Sequence, residues 1–130
     1  MSNKKGGAFE DVRNLNKTAK ELLARYGRTA IQAKATVIVD PEAKKKADEI
    51  IDLISKDVRE YTAAIDKIEA GHKKWPAAPK RAVHYQNALV VGSQYVEIID
   101  NIQNTMGSPA IDLFEIVAEH TPHAATPAAE

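Results

Sequence analysis

With 130 residues, 44% of them hydrophobic and 28% charged, the chain suffices for one domain, which at this size buries roughly two-thirds of its unfolded surface. Its 18 Lys and Arg cancel its 18 Asp and Glu, which excludes a protein drawn to nucleic acid or to a membrane surface by bulk charge. The lack of cysteine excludes disulfides and thiolate zinc sites, and no window approaches the roughly 20 apolar residues of a membrane-spanning helix.

Met1–Gly7 is basic but is not followed by the unbroken apolar run of a secretory signal, so residues 1–7 read as a flexible arm of a cytoplasmic protein. From Phe9 the apolar positions Val12, Leu15, Ala19, Leu22, Leu23, Tyr26, Ala30, Ala33 and Val37 stay within one arc at about 100° per residue, which predicts one long helix through Gly27. Its weak point is Thr36–Val39, a β-branched run with no second strand candidate to pair with.

Asp40-Pro41-Glu42 is a helix start: Asp accepts hydrogen bonds from free backbone N–H groups, and Pro at the first position gives up a donor that had no partner. The second helix carries Ala47, Ile50, Ile51, Ile54, Val58, Tyr61, Ile65 and Ile68, with Gly71 as a left-handed terminator. Residues 71–79, with two prolines and a glycine, form the interior loop. A third helix is expected from about Pro79, with one apolar strip of Ala82, Tyr85, Leu89, Gly92, Val96 and Ile99 beside another of Val91, Tyr95, Ile98 and Ile102. Gly107-Ser108-Pro109 repeats the stop-and-start pattern, predicting a short fourth helix through Ile111, Leu113, Phe114, Ile116 and Val117 that lids the bundle and ends near His120.

The expected fold is therefore all-α, an antiparallel bundle of three long helices plus a short C-terminal fourth helix. Residues 8–120 form a single domain and 121–130 a disordered tail without periodicity. Chains of this size with an alanine-rich tail and no cysteine are in the style of bacterial and phage accessory proteins.

Three constellations compete for a function. Helix 3 has more apolar surface than two partner helices need, which favours a non-enzymatic protein acting by self-assembly, or as an adaptor or chaperone, through Val91, Tyr95, Ile98 and Ile102. Its partner is then a second copy or another protein. Alternatively, Lys73, Lys74, Trp75, Lys80 and Arg81 lie in a stretch free of acidic residues at the start of helix 3, where N–H groups and the helix dipole add to a site for an anionic small ligand such as a nucleotide. Against this stands Trp75 as a hydrophobic plug at the end of the bundle. The third reading takes Glu49, Asp52, Glu97 and Asp100 as a magnesium site of an all-α nucleotide phosphohydrolase, although three of the four point away from their helices' apolar stripes.

His72, His84, His120 and His123 lack the rigid company a metal site needs, and nucleotide-binding loops and nucleophile elbows are absent. No cofactor and no metal are expected. Lys44-Lys45-Lys46 sits at the opposite end of helix 2 from the Trp75 loop, so the two basic clusters do not merge into an extended nucleic-acid groove.

Overall fold

The computed structural model describes residues 4–75 and 82–120. Among these the protein is all-helical: α1 spans Lys4–Ala35, α2 Pro41–His72 and α3 Ala82–His120, and each helix packs against the other two around one core. No helix among the described residues is long and apolar enough to cross a membrane. The tail expected to be disordered, 121–130, lies outside the described residues. So do 1–3 of the expected arm, while Lys4–Gly7 already belongs to α1.

The core is built on heptads. In α1 the inward positions Phe9, Val12, Asn16, Ala19, Leu23, Tyr26, Ala30 and Ala33 alternate steps of three and four. The same alternation runs in α2 from Ala47 through Ile51, Ile54, Val58, Tyr61, Ile65 and Ile68 to His72, and Trp75 just past the helix packs on the core as well. In α3 it links Ala88, Gly92, Tyr95, Ile99, Ile102 and Met106 to Pro109, Leu113 and Ile116. This 3.5-residue period keeps one seam of each helix facing its neighbours over many turns, as in a coiled coil.

Side-chain pairs link the helices. His72 of α2 meets Tyr95 of α3, and Tyr61 meets Thr105. Asn16 of α1 meets Tyr95, and Tyr26 lies by Gly107.

α1 stops at Ala35, where the Thr36 N–H reaches Ala33 O and the Thr36 hydroxyl donates to Gln32 O. The β-branched run beyond it is an extended connector that alternates outward and inward: Val37 and Val39 are exposed and Ile38 is buried in the core. Val37 thus leaves the helical stripe that the sequence pattern gave it. The start of α2 is as expected, with Asp40 in extended conformation and its Oδ2 accepting from the Ala43 N–H at 2.9 Å. Within the lysine triplet, Lys44 pairs with Asp48 one turn on.

Two predicted breaks are corrected. Gly71 is inside α2 with no positive φ, and the helix ends one residue later at His72, capped by the right-handed Lys73, whose N–H bonds Glu69 O. Gly107-Ser108-Pro109 does not divide α3, so the short fourth helix does not exist as a separate element. The reason lies in the heptads: Ile102, Met106 and Leu113, all fully buried, stay in phase across the tripeptide. Burying that seam outweighs the one backbone hydrogen bond that Pro109 cannot donate. The expected lid is therefore the last three turns of a 39-residue helix, and Ile111 and Phe114, assigned to cover the bundle, face outward.

Candidate functional site

Two features stand apart from ordinary core packing. The first is a buried polar layer to which each helix contributes one side chain. Asn16 is the only polar residue buried among the described ones, and its Nδ2 donates to the Tyr95 hydroxyl at 2.9 Å. Tyr95 is fully buried, and its hydroxyl meets His72 Nε2 at 2.7 Å. All three occupy heptad positions that would ordinarily be apolar.

The protonation of this chain of contacts follows from counting donors. With Asn16 donating to the tyrosine oxygen, that hydroxyl still has its proton to give, and it donates to His72 in the tautomer that leaves Nε2 without a hydrogen. Burial pushes the His72 pKa below the ordinary 6.5, with nearby Arg13 and Lys20 pushing the same way and Glu69 opposing them. Burial likewise raises the Tyr95 pKa, so the phenol keeps its proton. Lys20 bridges α1 to α2 through Glu69 at 2.8 Å, and its hydrogen bond holds that carboxyl below the usual range.

Trp75 closes this end. Its ring meets Phe9 edge-on at 5.6 Å and lies tilted against His72 at 5.6 Å, part-buried against the core. His72 also meets the Tyr95 ring edge-on.

The histidine gives a signed pH dependence. Because its folded pKa lies below 6.5, the unfolded chain takes up the proton first, so the stability it contributes is complete above pH 6.5 and declines as the pH falls below that value. Glu69 acts later, its contribution fading only as the pH falls below its ordinary 4.5. Urea unfolding at pH 7.5 and 5.5 should therefore show wild type losing more stability on acidification than His72→Gln. Parallel losses in the two proteins would refute the assignment.

The second feature is an apolar strip on the outer face of α3. Leu89 (53% exposed), Val96 (47%), Ile111 (60%) and Phe114 (68%) lie within one narrow arc of the helix, about 110° from the buried seam. The strip is about 37 Å long at 1.5 Å per residue. Its first half borders a groove of about 480 Å³ between α1 and α3, floored by Leu15, Ala88 and Gly92 and edged by Asp11, Glu97 and Asp100. A side groove of about 440 Å³ between α1 and α2 is lined by Leu23, Gly27, Ile31 and Val58.

The sequence-derived sites fare differently. Of the strip Val91, Tyr95, Ile98 and Ile102, Tyr95 and Ile102 are 0% exposed inside the chain's own bundle and Val91 and Ile98 are half-buried. Helix 3 does carry surplus apolar surface, but on the neighbouring strip, because the bundle's seam runs through Ala88, Tyr95 and Ile102 and rotates Leu89 and Val96 outward.

Of the basic set, Lys73 and Lys74 are exposed, Trp75 is packed as described, and Lys80 and Arg81 lie outside the described residues. The four carboxylates are not brought together: Glu49 borders a groove with His120 and Glu119, whereas Glu97 and Asp100 flank the α1–α3 groove. Among the described residues no three His, Asp or Glu converge as a metal ion requires.

Asn16 escaped the sequence reading, which took Leu15 for the inward position. The signal was the heptad spacing itself, since Asn16 falls four residues after Val12 and three before Ala19. No protein-family model, no curated protein and no solved structure matches the chain.

Proposed function

We propose that the protein is a non-enzymatic binding module that engages another protein through the outer face of α3. The observation carrying this reading is the strip Leu89, Val96, Ile111 and Phe114: four large apolar side chains in line along one helix, which water solvates poorly and a facing surface would bury. The pairings Tyr61–Thr105 and His72–Tyr95 support an antiparallel order of successive helices, and the outer face of α3 then presents two apolar pairs, Leu89 with Val96 and Ile111 with Phe114, separated by about four turns that carry Asp100 and Gly107. Such a face suits the adaptor or chaperone form of the reading. The anion-site alternative has less support, since the Trp75 ring is engaged by Phe9 and His72 instead of standing open for stacking.

The test is a double substitution, Val96→Asp with Phe114→Asp, compared with Leu53→Asp on an exposed position of α2. All are surface changes, so helicity and unfolding midpoint should move little, by about 0.5 kcal/mol or less per site. The double variant should lose partners, or self-association seen by light scattering, that wild type and Leu53→Asp both retain. Identical associations in all three proteins would remove the α3 face from consideration.

A further inference from the structure

The charge on α3 is one-sided. From Ala82 to His120 there is no Lys or Arg, while Glu97, Asp100, Asp112, Glu115 and Glu119 supply five carboxylates. Among the described residues the ion pairs are Lys20–Glu69 and Lys44–Asp48, so none of the α3 carboxylates pairs with a described cation. By helical position Asp100 lies on the exposed apolar strip, and Glu97 and Glu115 lie along its outer flank. Across the groove the first charged neighbour on α1 is another carboxylate, Asp11. An apolar floor with carboxylates along its edges is the complement of a helix with an apolar stripe flanked by cations.

Building on the proposed binding role of α3, we infer that its partner is a cationic amphipathic helix of another protein, lying along the α1–α3 groove with its apolar residues on Leu89, Val96, Ile111 and Phe114. A second copy fits less well. Two α3 faces related by a two-fold axis would meet near the middle of the strip and set Asp100 against Asp100, with no cation on either helix to intervene. The chain's own cationic helix, α1, has Ile31 as its one large exposed apolar residue among the described ones, too little to fill four apolar positions. A head-to-tail contact of that kind would also propagate without closing.

The experiment titrates the full chain into a fluorescein-labelled peptide of about 25 residues, long enough for the strip, with leucines at heptad positions and lysines or arginines on both flanks. Two control peptides are used, one with every cation replaced by glutamate and one with the same composition scrambled to destroy the apolar stripe. The cationic amphipathic peptide should bind at least about tenfold tighter than either control, less tightly as salt shortens the Debye length. Glu97→Lys with Asp100→Lys should reverse the preference toward the glutamate peptide, and Val96→Asp should weaken binding of both. Equal binding of the cationic and scrambled peptides, or a preference that survives the charge reversal, overturns the inference.

The two readings fail separately. A cationic peptide that does not bind, in a protein whose oligomer is dissolved by Val96→Asp with Phe114→Asp, overturns the cationic partner but keeps the α3 face. A non-binding peptide, together with identical associations in wild type, the double variant and Leu53→Asp, overturns both.

Discussion

Tyr95→Phe should destabilise the protein by about 2–4 kcal/mol although it deletes a single oxygen, because the two groups left behind are worse off than the one removed. The ring keeps its place at the centre of the core, so no cavity opens beyond the hydroxyl itself. What changes is that the buried Asn16 amide loses its acceptor where water cannot readily replace it, and the part-buried His72 loses its hydrogen-bond partner. Urea unfolding at pH 7.5 measures this directly, and a loss below about 0.5 kcal/mol would mean the hydroxyl is dispensable. The informative companion is the triple change Asn16→Leu, His72→Leu and Tyr95→Phe, which removes the whole layer. It should recover most of the lost stability, since apolar groups of similar shape need no partners. Such a layer is then best understood as fixing register: sliding any helix by a heptad would strand Asn16, Tyr95 and His72 against apolar neighbours.

Pro109→Ala should stabilise the protein by about 1–3 kcal/mol, the opposite of what local sequence rules imply. If Pro109 opened a separate helix, it would sit where its missing donor is harmless and its fixed φ is useful, and alanine would be neutral or worse. Inside a continuous α3 its ring crowds the carbonyl of Thr105 and leaves that carbonyl without a backbone partner, so alanine restores one hydrogen bond to the ladder. Gly107→Ala should add about 0.5–1 kcal/mol, since the residue is helical without positive φ and the nearest atom to a new Cβ is the Tyr26 hydroxyl at 4.0 Å. Thermal unfolding of the two single variants and their combination decides the matter. A lower midpoint for both would restore the break between two helices.

What the sequence disclosed about the fold was its class, the three long helices and the cap at Asp40, each of which rests on a pattern local enough to be read along the chain. The misreadings share a cause. Gly71 and Gly107-Ser108-Pro109 are punctuation by local rules, but a helix already committed to a heptad seam gains more by continuing than local propensity costs, and that gain depends on helices far away in sequence. The same distance dependence misplaced the exposed strip: two adjacent apolar stripes on helix 3 were visible, but which one the other helices would cover depends on their rotation. Asn16 sits at an inward heptad position by spacing alone, but that Tyr95 and His72 arrive beside it depends on helices distant in sequence.

The zero net charge conceals an electrical asymmetry. α1 carries eight Lys and Arg against three Asp and Glu, while α3 carries five carboxylates and no Lys or Arg, so opposite charges are segregated onto different helices. Farther away than a Debye length, about 8 Å at physiological ionic strength, salt screens both helices and an approaching molecule feels little of either charge. Discrimination between partners begins only at near contact, where the side of approach decides whether the encounter is attractive or repulsive. Long-range electrostatic acceleration is therefore unavailable to this bundle, and its choice of partner is exercised as an orientational filter after collision.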